Sequence, residues 1–179
     1  MKNILPIAIC GILLSCGTYK PSAYPEEITV LKRHFSKLEE GEKLYKNTVN
    51  QVSLPSGKPL KELINFATLN YNIAANGHPN AIKFDTIFDT SEMAYIKEKT
   101  STAGSIRLKQ SWFPTIDLTT KTKNTSGEIN FTTLPVLSPD GRFALFYTEN
   151  YFGGQIYVYK KNLTSGKWEF FSTSSIWMS

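Results

Sequence analysis

The last third of the chain, residues 127–177, alternates short aromatic-rich runs with turn sequences. Twelve of the 23 aromatic residues lie in the final 51 positions. Turn residues recur at positions 138–141 (Ser-Pro-Asp-Gly), 153–154 (Gly-Gly) and 162–166 (Asn-Leu-Thr-Ser-Gly). Runs of aromatic and β-branched residues between such turns are typical of strands joined by hairpins. The pattern predicts a four-stranded antiparallel meander.

The strand that follows the first of these turns is apolar on both faces. Alternation places Phe143, Leu145 and Tyr147 on one face, and Ala144 and Phe146 on the other. A strand of this kind is covered by other elements on both sides. We therefore expect it to be a central strand, covered by upstream parts of the chain.

A helix is predicted to begin at Pro25, since proline suits the first helical turn. Ile28, Leu31 and Phe35 then recur at spacings of three and four, which gives one apolar face. Gly41 is a natural stop for this helix.

Further elements follow upstream of the meander. Helical patterns cover residues 60–73 and 89–99, residues 84–88 read as a short strand or extended segment, and strands are predicted within residues 106–119. The predicted fold class is α+β, an antiparallel β-sheet packed against one to three N-terminal helices. Residues 25–179 form one such domain.

The N-terminal segment has the composition of an export signal. Lys2 supplies a positive charge, and residues 4–14 form an apolar run. Eleven helical residues extend about 16 Å, roughly half of the ~30 Å hydrocarbon core of a bilayer. Such a run is too short to span and matches a secretory signal. We expect residues 1–15 to be removed.

The end of this segment, Leu13-Leu14-Ser15-Cys16, resembles the lipobox of bacterial lipoproteins. The resemblance implies that Cys16 is acylated and becomes the mature N-terminus, with residues 16–24 as a tether. The membrane is then a partner through acyl chains on Cys16, and two or three such chains give stable attachment. By resemblance to lipoprotein sorting signals, the absence of Asp after the cysteine implies the outer membrane, and the absence of an acidic run in the tether implies its periplasmic face. The alternative is an ordinary cleaved signal in which Cys16 is incidental.

Cysteine content and charge exclude several classes of function. The 163 residues after Cys16 contain no cysteine, so the folded part has no disulfide, thiolate metal site or cysteine nucleophile. The formal charge is +5, with scattered lysines and no recognisable nucleic-acid-binding module. We expect no nucleic-acid partner and no cofactor.

The C-terminal region also resembles a family. Residues 135–138, 140–141, 144–145, 147, 157–161 and 166–168 are similar to the C-terminal signature of small bacterial lipoproteins and secreted proteins of unknown function, and residues 84–99 are a weaker second match. The cysteine pair that such proteins often carry near the glycine turn is absent here. Residues 138–145 also resemble a blade of a TolB-like β-propeller. The motif occurs only once, however, and a propeller needs at least four blades of about 40 residues each, so we reject this fold. The resemblance implies a fold and a compartment and carries over no catalytic residue.

Asp85, Asp89 and Glu92 are the densest group of carboxylates in the middle of the chain. They could hold a metal or exchange protons, but Asp89 and Glu92 also fit a helix capping box. His34 is flanked by basic residues and is expected to be solvated or partly packed, and His78 lies in a predicted turn. We expect no metal site and no catalytic residue.

A loop tip in the meander carries two aromatic residues, Tyr151 and Phe152, beside two glycines. Exposed aromatic residues are common anchors of interfaces, so these two are the candidate contact for a partner protein or glycan. The alternative is that both rings fold back onto the sheet.

Three functions are compatible with the sequence. The first is a lipid-anchored, non-catalytic binding or structural module of the cell envelope. The second is an envelope hydrolase that uses His78, Asp85 and Glu92 as its acid–base groups. The third is an inhibitor or assembly factor for another envelope protein.

Overall fold

In the residues that the structure describes, the chain forms a seven-stranded mixed β-sheet with a helix on each face. The computed structural model describes residues 23–49, 84–102, 104–122 and 128–178. Helix α1 spans Pro25–Phe35 and helix α2 spans Thr90–Thr102, and short 3-10 turns cover Phe84–Thr86 and Gln110–Trp112. The strands are β1 (Lys43–Tyr45), β2 (Asp117–Thr119), β3 (Ile129–Thr132), β4 (Val136–Leu137), β5 (Phe143–Asn150), β6 (Gly153–Lys161) and β7 (Trp168–Met178).

The order of strands in the sheet is β2-β1-β3-β5-β6-β7, and β4 also pairs with β5. Strands β3 to β7 pair antiparallel, but β1 is parallel to both β2 and β3. The prediction of a purely antiparallel sheet was therefore wrong. Tight turns impose antiparallel pairing within the meander, whereas parallel neighbours need a long crossover connection. Residues 46–116, which include α2, provide that connection between β1 and β2.

Helix α1 confirms the predicted apolar face, because Ile28, Leu31 and Phe35 are buried. Pro25 occupies the first turn, as expected from its fixed φ angle. The helix ends earlier than predicted, at Phe35, and Gly41 follows in a left-handed conformation with a φ of 93°.

Helix α2 begins with the predicted capping box. The backbone N–H of Glu92 donates to Asp89 Oδ1 at 2.8 Å, and the N–H of Asp89 donates to Glu92 Oε2 at 3.1 Å. Residues 84–88 are not a strand. The N–H of Phe88 donates to the Phe84 carbonyl, and this turn buries both rings in the core.

The sheet separates two apolar cores. The α2-side core contains Phe84, Phe88, Met93, Ile96, Val136, Phe143, Leu145, Tyr147, Ile156 and Val158. The α1-side core contains Ile28, Val30, Leu31, Phe35, Leu44, Leu108, Phe113, Ile116, Ala144, Phe146, Tyr159 and Trp168. Alternate residues of β5 point into opposite cores, which confirms that this strand is central and covered on both faces.

The region from residue 127 to residue 177 contains five strands rather than the predicted four. Strands β3 and β4 are separate because three residues, 133–135, lie opposite two residues of β5, Phe146 and Tyr147. Strand β7 is paired with β6 along its length, with register shifts at Gly154/Gln155 and Val158/Tyr159.

Several predictions lie outside the described residues: the signal segment 1–15, Cys16 and most of its tether, the helix over residues 60–73, and His78. In the part of the chain that the structure describes, neither helix combines the length and the hydropathy needed to cross a bilayer.

Candidate functional site

A groove of about 630 Å³ lies where the end of α1 meets the α1-side face of β5, β6 and β7. We call it the α1 groove. Its volume is within the range of small-molecule sites, and its lining combines aromatic, amide and basic residues with one acidic residue, Glu149, whose Oε2 accepts a hydrogen bond from the Tyr147 hydroxyl at 2.7 Å. The lining includes Arg33, His34, Lys37, Phe152, Gln155, Tyr157, Tyr159 and Phe170.

Aromatic rings from two adjacent strands form one wall of the α1 groove. Tyr157 and Tyr159 are alternate residues of β6, so both point to the α1 side of the sheet. Their ring centroids lie 6.4 Å and 6.1 Å from the ring of Phe170 on β7. Phe170 is 57% exposed, so a ligand in the groove can reach its ring.

His34 on α1 packs among these rings. Its ring centroid lies 4.3 Å from that of Tyr157 and 5.0 Å from that of Phe146. The His34 Nδ1 and the Tyr159 hydroxyl are 3.2 Å apart and share a hydrogen bond. Burial lowers the pKa of His34 to about 4, and burial raises the pKa of Tyr159 to about 12. Both groups are therefore neutral near pH 7.

Gln155 presents an oriented amide at the α1 groove. Its Oε1 accepts a hydrogen bond from the Tyr157 hydroxyl at 2.6 Å, whereas the nearby Thr173 hydroxyl donates its single proton to the Ile156 carbonyl at 3.0 Å. The bond from Tyr157 fixes the orientation of the amide, and its NH2 group is a donor that a ligand can use. Burial raises the pKa of Tyr157, so this phenol keeps its proton.

Arg33 and Lys37 line the α1 side of the groove. In the described part of the chain, the ion pairs join Arg142 to Asp140 and Lys161 to Glu26, so neither groove cation belongs to one. Basic residues also suit the negative end of a helix dipole, which accounts for their place near the end of α1. They give this edge of the groove a positive charge.

The aromatic tip lies beside the α1 groove. Asn150 pairs with Gly153, so Tyr151 and Phe152 form a two-residue turn between β5 and β6. Tyr151 is 46% exposed and Phe152 is 59% exposed, with their ring centroids 5.5 Å apart. The alternative in which both rings fold back onto the sheet is therefore wrong. Phe152 also lines the groove.

Of the candidate acid–base residues, the structure describes Asp85, Asp89 and Glu92, and His78 lies outside the described ranges. Asp89 and Glu92 form the capping box at the start of α2, and Asp85 is exposed in the preceding 3-10 turn. Within the described ranges, no three His, Cys, Asp or Glu residues are grouped as a metal site would require.

Sequence reasoning identified Tyr151 and Phe152 but missed the rest of the groove. The alternation of Tyr157 and Tyr159 was visible, but it does not reveal which residue of α1 faces them. His34 is partly packed, which is one of the two environments expected for it. Comparisons with protein-family models, with curated proteins and with solved structures give no match.

Proposed function

We propose that the chain is a lipid-anchored protein of the bacterial cell envelope whose folded domain is a non-catalytic binding module. The observation that carries the binding role is the α1 groove, which combines the exposed ring of Phe170, the Gln155 amide and two cations. Ligand sites characteristically combine apolar surface with a few oriented polar groups. The resemblance of residues 13–16 to a lipobox supports the lipid anchor at Cys16.

Binding fits the groove better than acid–base catalysis. A general acid or base works best with a pKa near the operating pH. The pKa of His34 is about 4 and that of Tyr159 is about 12, because burial disfavours the charged form of each. Both rings are also held by packing. These groups therefore serve as hydrogen-bonding and stacking surfaces.

The proposed location is the periplasmic face of the outer membrane, with Cys16 acylated. The test is metabolic labelling with palmitate, followed by membrane fractionation, of the wild type and the Cys16→Ala variant. We expect label and membrane association in the wild type and loss of both in the variant. Cys10→Ala is the matched control, because it removes the other cysteine of the same apolar segment. Unchanged labelling of Cys16→Ala would refute the anchor.

A second candidate function is an inhibitor or assembly factor that contacts another envelope protein. The exposure of Tyr151 and Phe152 favours it, since aromatic anchors dominate many interfaces. Crosslinking in intact cells, followed by recovery of the protein from membranes, tests this function. A partner recovered with the wild type and lost with Tyr151→Ser/Phe152→Ser would support it. The hydrolase alternative has no comparable observation among the described residues.

A further inference from the structure

The two ends of β6 have different surroundings. At its last residue, Lys161 Nζ lies 3.1 Å from Glu26 Oε2 in the first turn of α1, directly after the predicted tether. The first residue of β6, Gly153, adjoins the aromatic tip and the α1 groove. The α1 groove runs along β6 from Gly153 to Tyr159, and its wall includes Phe170, which pairs with Tyr159 and lies two residues from Trp168, the hydrogen-bond partner of Glu26. The groove therefore extends along the sheet toward the end from which the tether leaves.

The chemistry of the groove matches a sugar chain better than an apolar ligand. The exposed ring of Phe170 offers a flat apolar surface, on which the C–H face of a pyranose ring can lie. The Gln155 amide supplies N–H donors for ring or hydroxyl oxygens, and the neutral phenol of Tyr157 lies beside it. A ligand with alternating apolar faces and hydroxyl edges uses both kinds of surface.

The charge at the edge of the groove indicates an anionic ligand. Arg33 and Lys37 lie on one side, and neither is in an ion pair within the described ranges. A guanidinium group binds a carboxylate through two parallel N–H donors, and a lysine beside it adds a further charge. A neutral sugar chain would leave these cations unused.

We propose that the α1 groove binds an acidic oligosaccharide, with a sugar ring stacked on Phe170, the Gln155 amide donating to its oxygens, and its carboxylates paired with Arg33 and Lys37. The inference rests on the proposed binding function and names its ligand class. It assigns these four residues as contacts.

The test measures binding by calorimetry with the full-length protein purified in detergent. Two hexasaccharides serve as probes: alternating glucuronate and N-acetylglucosamine, and N-acetylglucosamine alone. We expect the acidic probe to bind at least about tenfold more tightly, and its affinity to fall as NaCl rises from 0.05 to 0.5 M, because exposed charges are screened. Equal affinity for both probes would overturn the assignment of an acidic ligand.

Variants locate the site. Phe170→Ser and the double variant Arg33→Gln/Lys37→Gln should each weaken binding at least about fivefold. Their matched controls are Leu163→Ser and Lys167→Gln. Both control residues are exposed in the turn between β6 and β7, where Leu163 is 78% exposed, and neither lines the α1 groove. Controls that weaken binding as much as the groove variants would overturn the location.

A third probe and the labelling experiment separate the remaining outcomes. Hexaglutamate carries carboxylates without sugar rings, and binding as tight as that of the acidic hexasaccharide would overturn the sugar assignment. If a protein that is acylated at Cys16 binds none of the probes, the proposed binding function of the α1 groove is refuted and the proposed lipid anchor is not. Binding by a protein that is not acylated would refute only the anchor.

Discussion

The indole N–H of Trp168 donates a 2.9 Å hydrogen bond to Glu26 Oε2, and this bond joins the start of β7 to the first turn of α1. The same carboxylate oxygen is 3.1 Å from Lys161 Nζ. The hydrogen bond from Trp168 and the nearby Lys161 hold the pKa of Glu26 below its ordinary value, against the opposing effect of burial. One carboxylate therefore ties α1 to both β6 and β7.

We expect Trp168→Phe to lower the free energy of unfolding by about 1 kcal/mol or more, because the indole donor is lost and the smaller ring fills its site less well. Glu26→Gln keeps an oxygen acceptor and should cost less. Urea unfolding of the two single variants and the double variant measures their coupling. Effects that add within about 0.3 kcal/mol would show that the negative charge of Glu26 contributes nothing to its bond with Trp168.

The stability of the domain should depend on pH through His34. The unfolded histidine takes up a proton below its ordinary pKa of 6.5, whereas the folded one does so only near pH 4. The unfolded state therefore binds more protons between these values, and stability falls as the pH drops from 6.5 to 4. Below pH 4 the contribution of neutral His34 to the free energy of unfolding has been lost completely.

The variant His34→Gln should lack this component. Urea unfolding at pH 7 and at pH 4.5 should show the wild type losing on the order of 2 kcal/mol more than His34→Gln between the two conditions. Both proteins share the titration of the remaining carboxylates, so the difference between them isolates His34. Equal losses would contradict the lowered pKa.

Ser138 should be more important for stability than other turn serines. Its hydroxyl donates to Asp140 Oδ1 at 2.6 Å and accepts from the buried N–H of Phe143 at 2.9 Å. Ser138→Ala leaves that N–H without its partner, which costs about 1–3 kcal/mol. Ser165→Ala in the exposed β6–β7 turn is the control and should change stability by less than about 0.5 kcal/mol. Thermal or urea unfolding distinguishes them, and equal effects would contradict the prediction.

The aromatic tip should contribute little to folding. Because Tyr151 and Phe152 are both largely exposed, Tyr151→Ser/Phe152→Ser should change the free energy of unfolding by less than about 1 kcal/mol. Phe146→Ala is the matched aromatic change in the core and should cost about 3–5 kcal/mol, since Phe146 is fully buried. A large loss of stability in the tip variant would show that its rings are structural, and it would remove the support for a partner contact.

Much of the local structure could be predicted from residue order. The Pro25 start of α1, the capping box of Asp89 and Glu92, and the turn at residues 138–141 all depend on contacts between residues a few positions apart. The two-faced burial of β5 follows from strict alternation, as Phe143 and Phe146 show. Such features need no knowledge of the rest of the chain.

The parallel pairing of β1, the 3-10 turn at Phe84 and the α1 groove could not be predicted in this way. Lys43 pairs with both Asp117 and Ile129, and these partners are chosen by how the whole sheet assembles. The alternation in residues 84–88 resembles a strand, but the turn buries Phe84 and Phe88 in one core, and that burial outweighs local preference. The same chain-wide packing brings His34 beside Tyr159.

The amino-acid sequence by itself determined the turns at residues 138–141 and 162–166, the cap of α2, the faces of the central strand and the resemblance of residues 13–16 to a lipobox, because each depends on neighbours along the chain. The turn predicted at Gly153–Gly154 lies instead at Tyr151–Phe152, and both glycines belong to β6. Only the tertiary structure decided which strands are parallel, that Tyr151 and Phe152 face outward, and that Arg33, Gln155 and Phe170 share one groove. Those relations arise when surfaces distant in sequence bury apolar area together, and short-range pattern does not specify which surfaces meet.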